Sequence, residues 1–139
     1  MYTVQRKNRI VEQLQLVHAN GDVACTIDVD INVDQIGAKI NHAYELVGMA
    51  NAALQKNPTS PDLIDAFGKA VIALFTAVFG EDGCNKIVEF YGSTDSWSEM
   101  LVDLFPFLNN EIIPKIREAS EERKKQLLEM AKAVKRNGK

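Results

Sequence analysis

The chain has 139 residues, 46% hydrophobic and 25% charged, with a net charge of −3. Those are globular averages, in a chain long enough to bury roughly two-thirds of its unfolded surface, so one domain is expected and a disulfide scaffold or low-complexity protein is excluded. No stretch approaches the roughly 18 continuous apolar residues of a membrane span, and IVEQLQLVHANG alternates with polar residues where a signal peptide needs an unbroken apolar segment.

The expected location is therefore the cytoplasm, and the two cysteines, Cys25 and Cys84, are expected as reduced thiols. Charge is unevenly spread. From Lys115 onward nine Lys/Arg face four Asp/Glu, a local +5, which leaves seven basic against fifteen acidic residues in positions 1–114, a local −8. An acidic body with a basic tail suits head-to-tail self-association or a charged partner.

In chain order, the first element is a hairpin over about 10–33. VACTIDVDINV alternates without fault: Val23, Cys25, Ile27, Val29, Ile31 and Val33 share one parity and polar or small residues the other. IVEQLQLV precedes it, and Asn20-Gly21 suits a two-residue type I′ turn. With those two residues in the turn, Leu16 faces Cys25, Leu14 faces Ile27 and Ile10 faces Ile31, which assembles one apolar face for helices to cover.

A helix is predicted over about 34–57, with Ile36, Ile40, Ala43, Tyr44, Val47 and Leu54 at helical spacing until Asn57-Pro58. Ser60-Pro61 is an N-cap with proline at the first helical position, opening a central helix over about 60–80 that closes at Gly80. A short helix over about 82–91 ends at Gly92, and Ser96-Trp97-Ser98-Glu99 reads as a capping box opening the region 96–136. There Pro106 and Pro114 each remove a backbone donor, which predicts pieces Ser96–Phe105, Phe107–Ile113 and Lys115–Arg136. The fold class is thus α+β, predominantly α-helical: an N-terminal β-hairpin packed against a bundle of four to five helices, the last helical region kinked at Pro106 and Pro114.

Chemistry is sparse. Asp28, Asp30, Asn32 and Asp34 copy the opening of a calcium loop, but Val33 and Lys39 stand where that loop needs glycine and a bidentate glutamate, and the strand alternation is the stronger signal. His18 and Cys25 are diagonal neighbours in the hairpin with no third group, and His42 lacks the partners of a metal site. Gly80 and Gly83 fit no phosphate-loop spacing. No enzyme activity, metal or cofactor is expected. The basic tail RKKQLLEMAKAVKRNGK is a weak nucleic-acid signal, interleaved with Glu and without flanking aromatics. Trp97, Phe105, Phe107, Ile112 and Ile113, gathered around the two prolines, are the candidates for contact with a protein partner.

The blocks FGEDGCNKIVEFYG and EMLVDLFPFLNNEIIPKI, matched at Gly80, Gly83, Phe90, Tyr91, Pro106 and Pro114, resemble the tail assembly chaperones of long-tailed bacteriophages of Gram-positive hosts. The resemblance covers about the last two-thirds of the chain. It implies a non-enzymatic protein of the host cytoplasm that binds the long helical tape measure protein, keeps it soluble and helps recruit tail tube subunits. It also implies self-association into rings or spirals, and a longer form made by frameshifting near the C-terminus. The alternative is an oligomeric adaptor or regulatory protein touching nucleic acid through its basic C-terminal helix.

Overall fold

A computed structural model describes residues 1–5 and 8–138. Arg6 and Lys7 of the basic N-terminal run, and Lys139 at the end of the basic tail, lie outside the described residues. The protein is α+β and predominantly helical, with a two-stranded antiparallel hairpin packed against helices.

Strands β1 (Arg9–Val17) and β2 (Val23–Asn32) pair in the expected register, Ile10 with Ile31, Leu14 with Ile27 and Leu16 with Cys25. Only that register turns Ile10, Leu16, Ile27, Val29 and Ile31 to one face, where they are buried. The turn differs from the two-residue type I′ expected. Pairing shifts after Leu16, the His18 N–H donates to the Asp22 carbonyl at 2.8 Å, and the Gly21 N–H donates to the His18 carbonyl at 2.9 Å. A turn from His18 to Gly21 closes the loop with Gly21 at φ of 94°, and the irregularity in pairing lies between Leu16 and Val17, where Val17 faces Val23 and Ala24 is left over. Asn20 is not left-handed, because its side-chain carbonyl accepts the Asp22 N–H at 2.9 Å and holds a local turn of its own.

Helix α1 (Val33–Lys56) follows directly and buries Ile40 and Val47. Helix α2 (Pro61–Tyr91) opens as expected, with the Leu63 N–H donating to Ser60 Oγ at 3.3 Å and Pro61 in the first turn. The division expected at Gly80 is present as a break inside this run: Gly80 adopts φ of 77° and ψ of 171°, a conformation that only glycine takes readily. By length and composition α2 would suffice to cross a membrane, with a mean hydropathy of 1.8 over its most apolar stretch. In the fold that apolarity serves the core, since Val71, Leu74, Phe75 and Val78 are buried between the hairpin, α1 and α3.

A short 3₁₀ turn (Thr94–Ser96) leads into α3 (Trp97–Phe107), and the capping box is not formed. Ser93 caps the 3₁₀ turn by accepting the Asp95 N–H at 3.0 Å, so the chain is already wound at Ser96, whose hydroxyl donates to the Tyr91 carbonyl instead. A π-helical turn (Leu108–Ile112) then separates α3 from α4 (Ile113–Asn137). The three expected pieces are these, with boundaries one or two residues away. Pro106 sits inside α3 and Pro114 in the first turn of α4, where its missing N–H matters least. The widened turn closes with the Ile113 N–H donating to the Leu108 carbonyl, five residues back. Its extra residue also resets the helical phase. Met100, Leu104, Leu108 and Ile112 recur every fourth residue, then Ile113 and Ile116 continue the buried face from a new phase.

Candidate functional site

Of the residues that the sequence singles out for partner contact, the structure separates three groups. Ile112 and Ile113 are 0% and 2% exposed, because the π-turn phase reset directs both into the core, so neither presents a side chain to a partner. Trp97 and Phe107 are half-buried. Trp97 lies against Phe67, ring centroids 4.9 Å apart, and over Gly68, where a Cβ would stand 2.8 Å from the indole nitrogen; its edge borders an open hollow of about 670 Å³ beside Asp65 and Lys69. Phe107 stacks on Phe79 at 6.0 Å. Phe105 alone of the five is exposed, at 41%.

Phe105 lines an apolar groove of about 530 Å³ between α1 and α3. One wall is Tyr44, Val47 and Gly48 from α1, and the other is Leu101, Val102 and Phe105 from α3, with Pro106 closing the rim and Phe67 at the base. Tyr44 stacks on Phe105 at 6.3 Å across the groove, its hydroxyl donating to Asn109 Oδ1 at 2.7 Å. Those contacts tie the two walls together at the Tyr44 end. Nothing within 4 Å would meet a Cβ at Gly48, and Val102 is 72% exposed, so the groove is open from above. No carboxylate lines the groove: of those on the same helical stretches, Glu45 accepts from the Asn41 amide at 3.1 Å and Asp103 accepts from the Tyr91 hydroxyl at 2.9 Å.

The groove residues on α1 were legible only as a helical stripe, read as core. Val102 carried a signal, for Met100 and Leu104 already satisfy the inward face of α3 while Leu101, Val102 and Phe105 add a second apolar face that the core does not need.

A second exposed apolar surface is on α4. Arg123 grips Asp34 with two bonds, Nε and Nη2 to the two carboxylate oxygens, each at 2.9 Å. The guanidinium, aided by an Asn8 amide donor, holds the Asp34 carboxyl below its ordinary value, although burial opposes this. Lys115 pairs with Glu12 of β1, anchoring the start of the helix, and Arg117 donates to Asn41 at 3.0 Å with its guanidinium over the Tyr44 ring. Past Arg123 every described residue is exposed except half-buried Ala133. Leu127, Leu128, Met130 and Val134 stand in solvent there, among Lys124, Lys125, Lys132, Lys135 and Arg136.

Several polar groups elsewhere are engaged in structure. Asp28 accepts from Gln13 and Asp30 pairs with Arg9 on the outer face of the hairpin, which is where the strand alternation places the carboxylates of the calcium-like run. His18 packs on Phe90 at 5.4 Å, and Cys84 is buried. Tyr91 donates to Asp103 at 2.9 Å, and burial together with that carboxylate pushes its hydroxyl well above the usual tyrosine range. Among the described residues no cluster of three or more His, Cys, Asp or Glu side chains is placed to hold a metal ion. The groove and the end of α4 are thus two exposed apolar features among the described residues. No protein-family model, curated protein or solved structure matches the chain.

Proposed function

We propose that this chain is a bacteriophage tail assembly chaperone that binds the apolar helices of a tape measure protein, keeps that protein soluble and helps bring tail tube subunits to it. The observation that carries the reading is the open groove between α1 and α3, whose apolar walls suit the apolar stripe of an amphipathic helix. The likeness of FGEDGCNKIVEFYG and EMLVDLFPFLNNEIIPKI to the chaperone family supplies the identity of the client. The action is non-enzymatic and takes place in the host cytoplasm: burying a client's apolar stripe removes the surface through which it would aggregate.

The test is co-expression with a phage tape measure protein. Wild type should raise the soluble yield of that protein and co-purify with it, whereas Val102→Glu, which places a charge in the groove, should lose both effects. An equally insoluble client with and without the wild-type chain overturns the proposal. The second reading, an adaptor contacting nucleic acid, is favoured by the exposed Lys132, Lys135 and Arg136 near the tip of α4. Salt distinguishes the two, since phosphate contacts weaken steeply as salt rises while apolar capture holds.

A further inference from the structure

Past the Arg123–Asp34 pair, α4 runs on for fourteen residues to Asn137, about 21 Å of helix without one buried side chain. At about 100° per residue, its side chains sort by direction. Met130, Val134, Leu127, Ala131 and Leu128 follow one another around an arc of about 160°, all of them exposed. Lys124 and Lys135 stand inside that arc beside Leu128, and Lys132, Lys125 and Arg136 continue past it. Glu129, the one acid of residues 124–136, points away from the middle of the arc.

Five Lys/Arg against one Glu leave this stretch at +4. Lys124 and Lys132 pair with Glu121 and Glu129 at 3.3 and 3.5 Å, but these are exposed neighbours on one helix, which hold each other weakly and exchange readily. What covers the face must be apolar and anionic at once. Phosphates of a nucleic acid would meet the cations and leave Leu127, Met130 and Val134 in water, and an apolar protein groove would meet a narrow seam and leave the cations unanswered. A membrane with anionic headgroups meets both, and it is flat, as a wide arc requires. Lys124 and Lys135 suit its border, since their stems lie along apolar surface while the ammonium groups reach the phosphates. Residues 1–114, at −8, would be repelled by the same surface. The free part of α4 reaches more than twice the screening length of about 8 Å beyond the clamp, so it can lie down while the acidic body stays clear.

We infer that the free part of α4 is a peripheral anchor for an anionic lipid surface, lying in the interface with Leu127, Leu128, Met130 and Val134 toward the acyl chains and its lysines at the phosphate level. Contact of this kind needs no spanning segment. The inference goes beyond the chaperone reading and stands without it, because it uses α4 and not the groove between α1 and α3. Where both hold, the groove remains open to a client while α4 holds the chain at a membrane.

The test is flotation of the whole purified chain with vesicles of phosphatidylglycerol and phosphatidylcholine in equal parts, and with vesicles of phosphatidylcholine alone. Wild type should float with the first and not with the second, and less so at high salt. Lys132→Gln with Lys135→Gln should weaken binding about thirtyfold, at about fivefold for each charge near the surface. Leu127→Gln with Val134→Gln keeps the charge and should weaken it by at least about tenfold. All four residues are exposed, and circular dichroism at wild-type strength checks the fold. Duplex DNA is the rival anion, and any binding to it should be the same in wild type and in the Leu127→Gln, Val134→Gln variant. A chain that ignores the anionic vesicles, whether or not it holds DNA, overturns the inference. So does equal flotation with neutral vesicles, or vesicle binding that survives the loss of Leu127 and Val134. Because no client is present, the result is independent of the co-expression test.

Discussion

The same substitution, glycine to alanine, should act with opposite sign at two helical positions, and the difference can be worked from the packing. At Gly68 in α2 the added methyl would sit 2.8 Å from the Trp97 indole nitrogen and 2.9 Å from its Cδ1, and the indole already packs on Phe67 with ring centroids 4.9 Å apart. Overpacking of this kind costs about 1–3 kcal/mol, and the helix propensity of alanine offsets about 1 kcal/mol of it. Gly68→Ala should therefore destabilise by about 1 kcal/mol and displace the indole. At Gly48 in α1 nothing lies within 4 Å of the new methyl, so only the propensity term acts and Gly48→Ala should stabilise by up to about 1 kcal/mol. The assay is urea unfolding followed by fluorescence and circular dichroism. Trp97 is the sole tryptophan, so the emission reports on the contact that Gly68 makes. Midpoints moving the same way in both variants, with unshifted Trp97 emission in Gly68→Ala, would refute the close approach. Gly48→Ala should also narrow the groove, so the more stable protein should be the poorer binder.

Three further outcomes are expected. Ile112→Ala should cost about 2–5 kcal/mol in chemical denaturation because its side chain is fully buried, whereas Phe105→Ala should cost far less; equal losses would contradict the division between core and groove. Gly80→Ala forces a non-glycine residue into φ of 77° and ψ of 171° and should destabilise by about 1–3 kcal/mol, with unchanged thermal stability as the adverse result. The Asp34 carboxyl is held below its ordinary 3.8 by Arg123, so its stabilising contribution is present above that value and is lost as pH falls through the lower folded-state value. Protection factors of the amides around residues 117–123, with the pH dependence of intrinsic exchange removed, should fall in acid in wild type, and Arg123→Met should already show the lower protection at neutral pH and lose that acid step.

How much of this was legible in the sequence depends on whether a feature is set locally. The hairpin register followed from alternation alone, because a slip of one residue would expose Ile27, Val29 and Ile31 together. The loop did not follow, since Asn20-Gly21 suits more than one turn and the choice rests on a side-chain bond from Asn20 to its neighbour's backbone. Ser60-Pro61 and Gly80 act on their own backbone and were readable. The π turn was not: two prolines announce lost donors but not how the ladder is repaired, and the phase reset that buries Ile112 and Ile113 depends on that repair. The groove was hidden for another reason. Val47 and Val102 belong to helices separated by α2 in the chain, and no periodicity in either tells how far apart packing will set them.

The Arg123–Asp34 clamp marks a frontier in the chain. Ile113 and Ile116 are the buried residues of α4, and both precede the clamp, so the described core draws no buried side chain from what comes after it. Past Arg123 a change of sequence therefore leaves every buried contact of the body in place, and what constrains those residues is whatever they meet outside it.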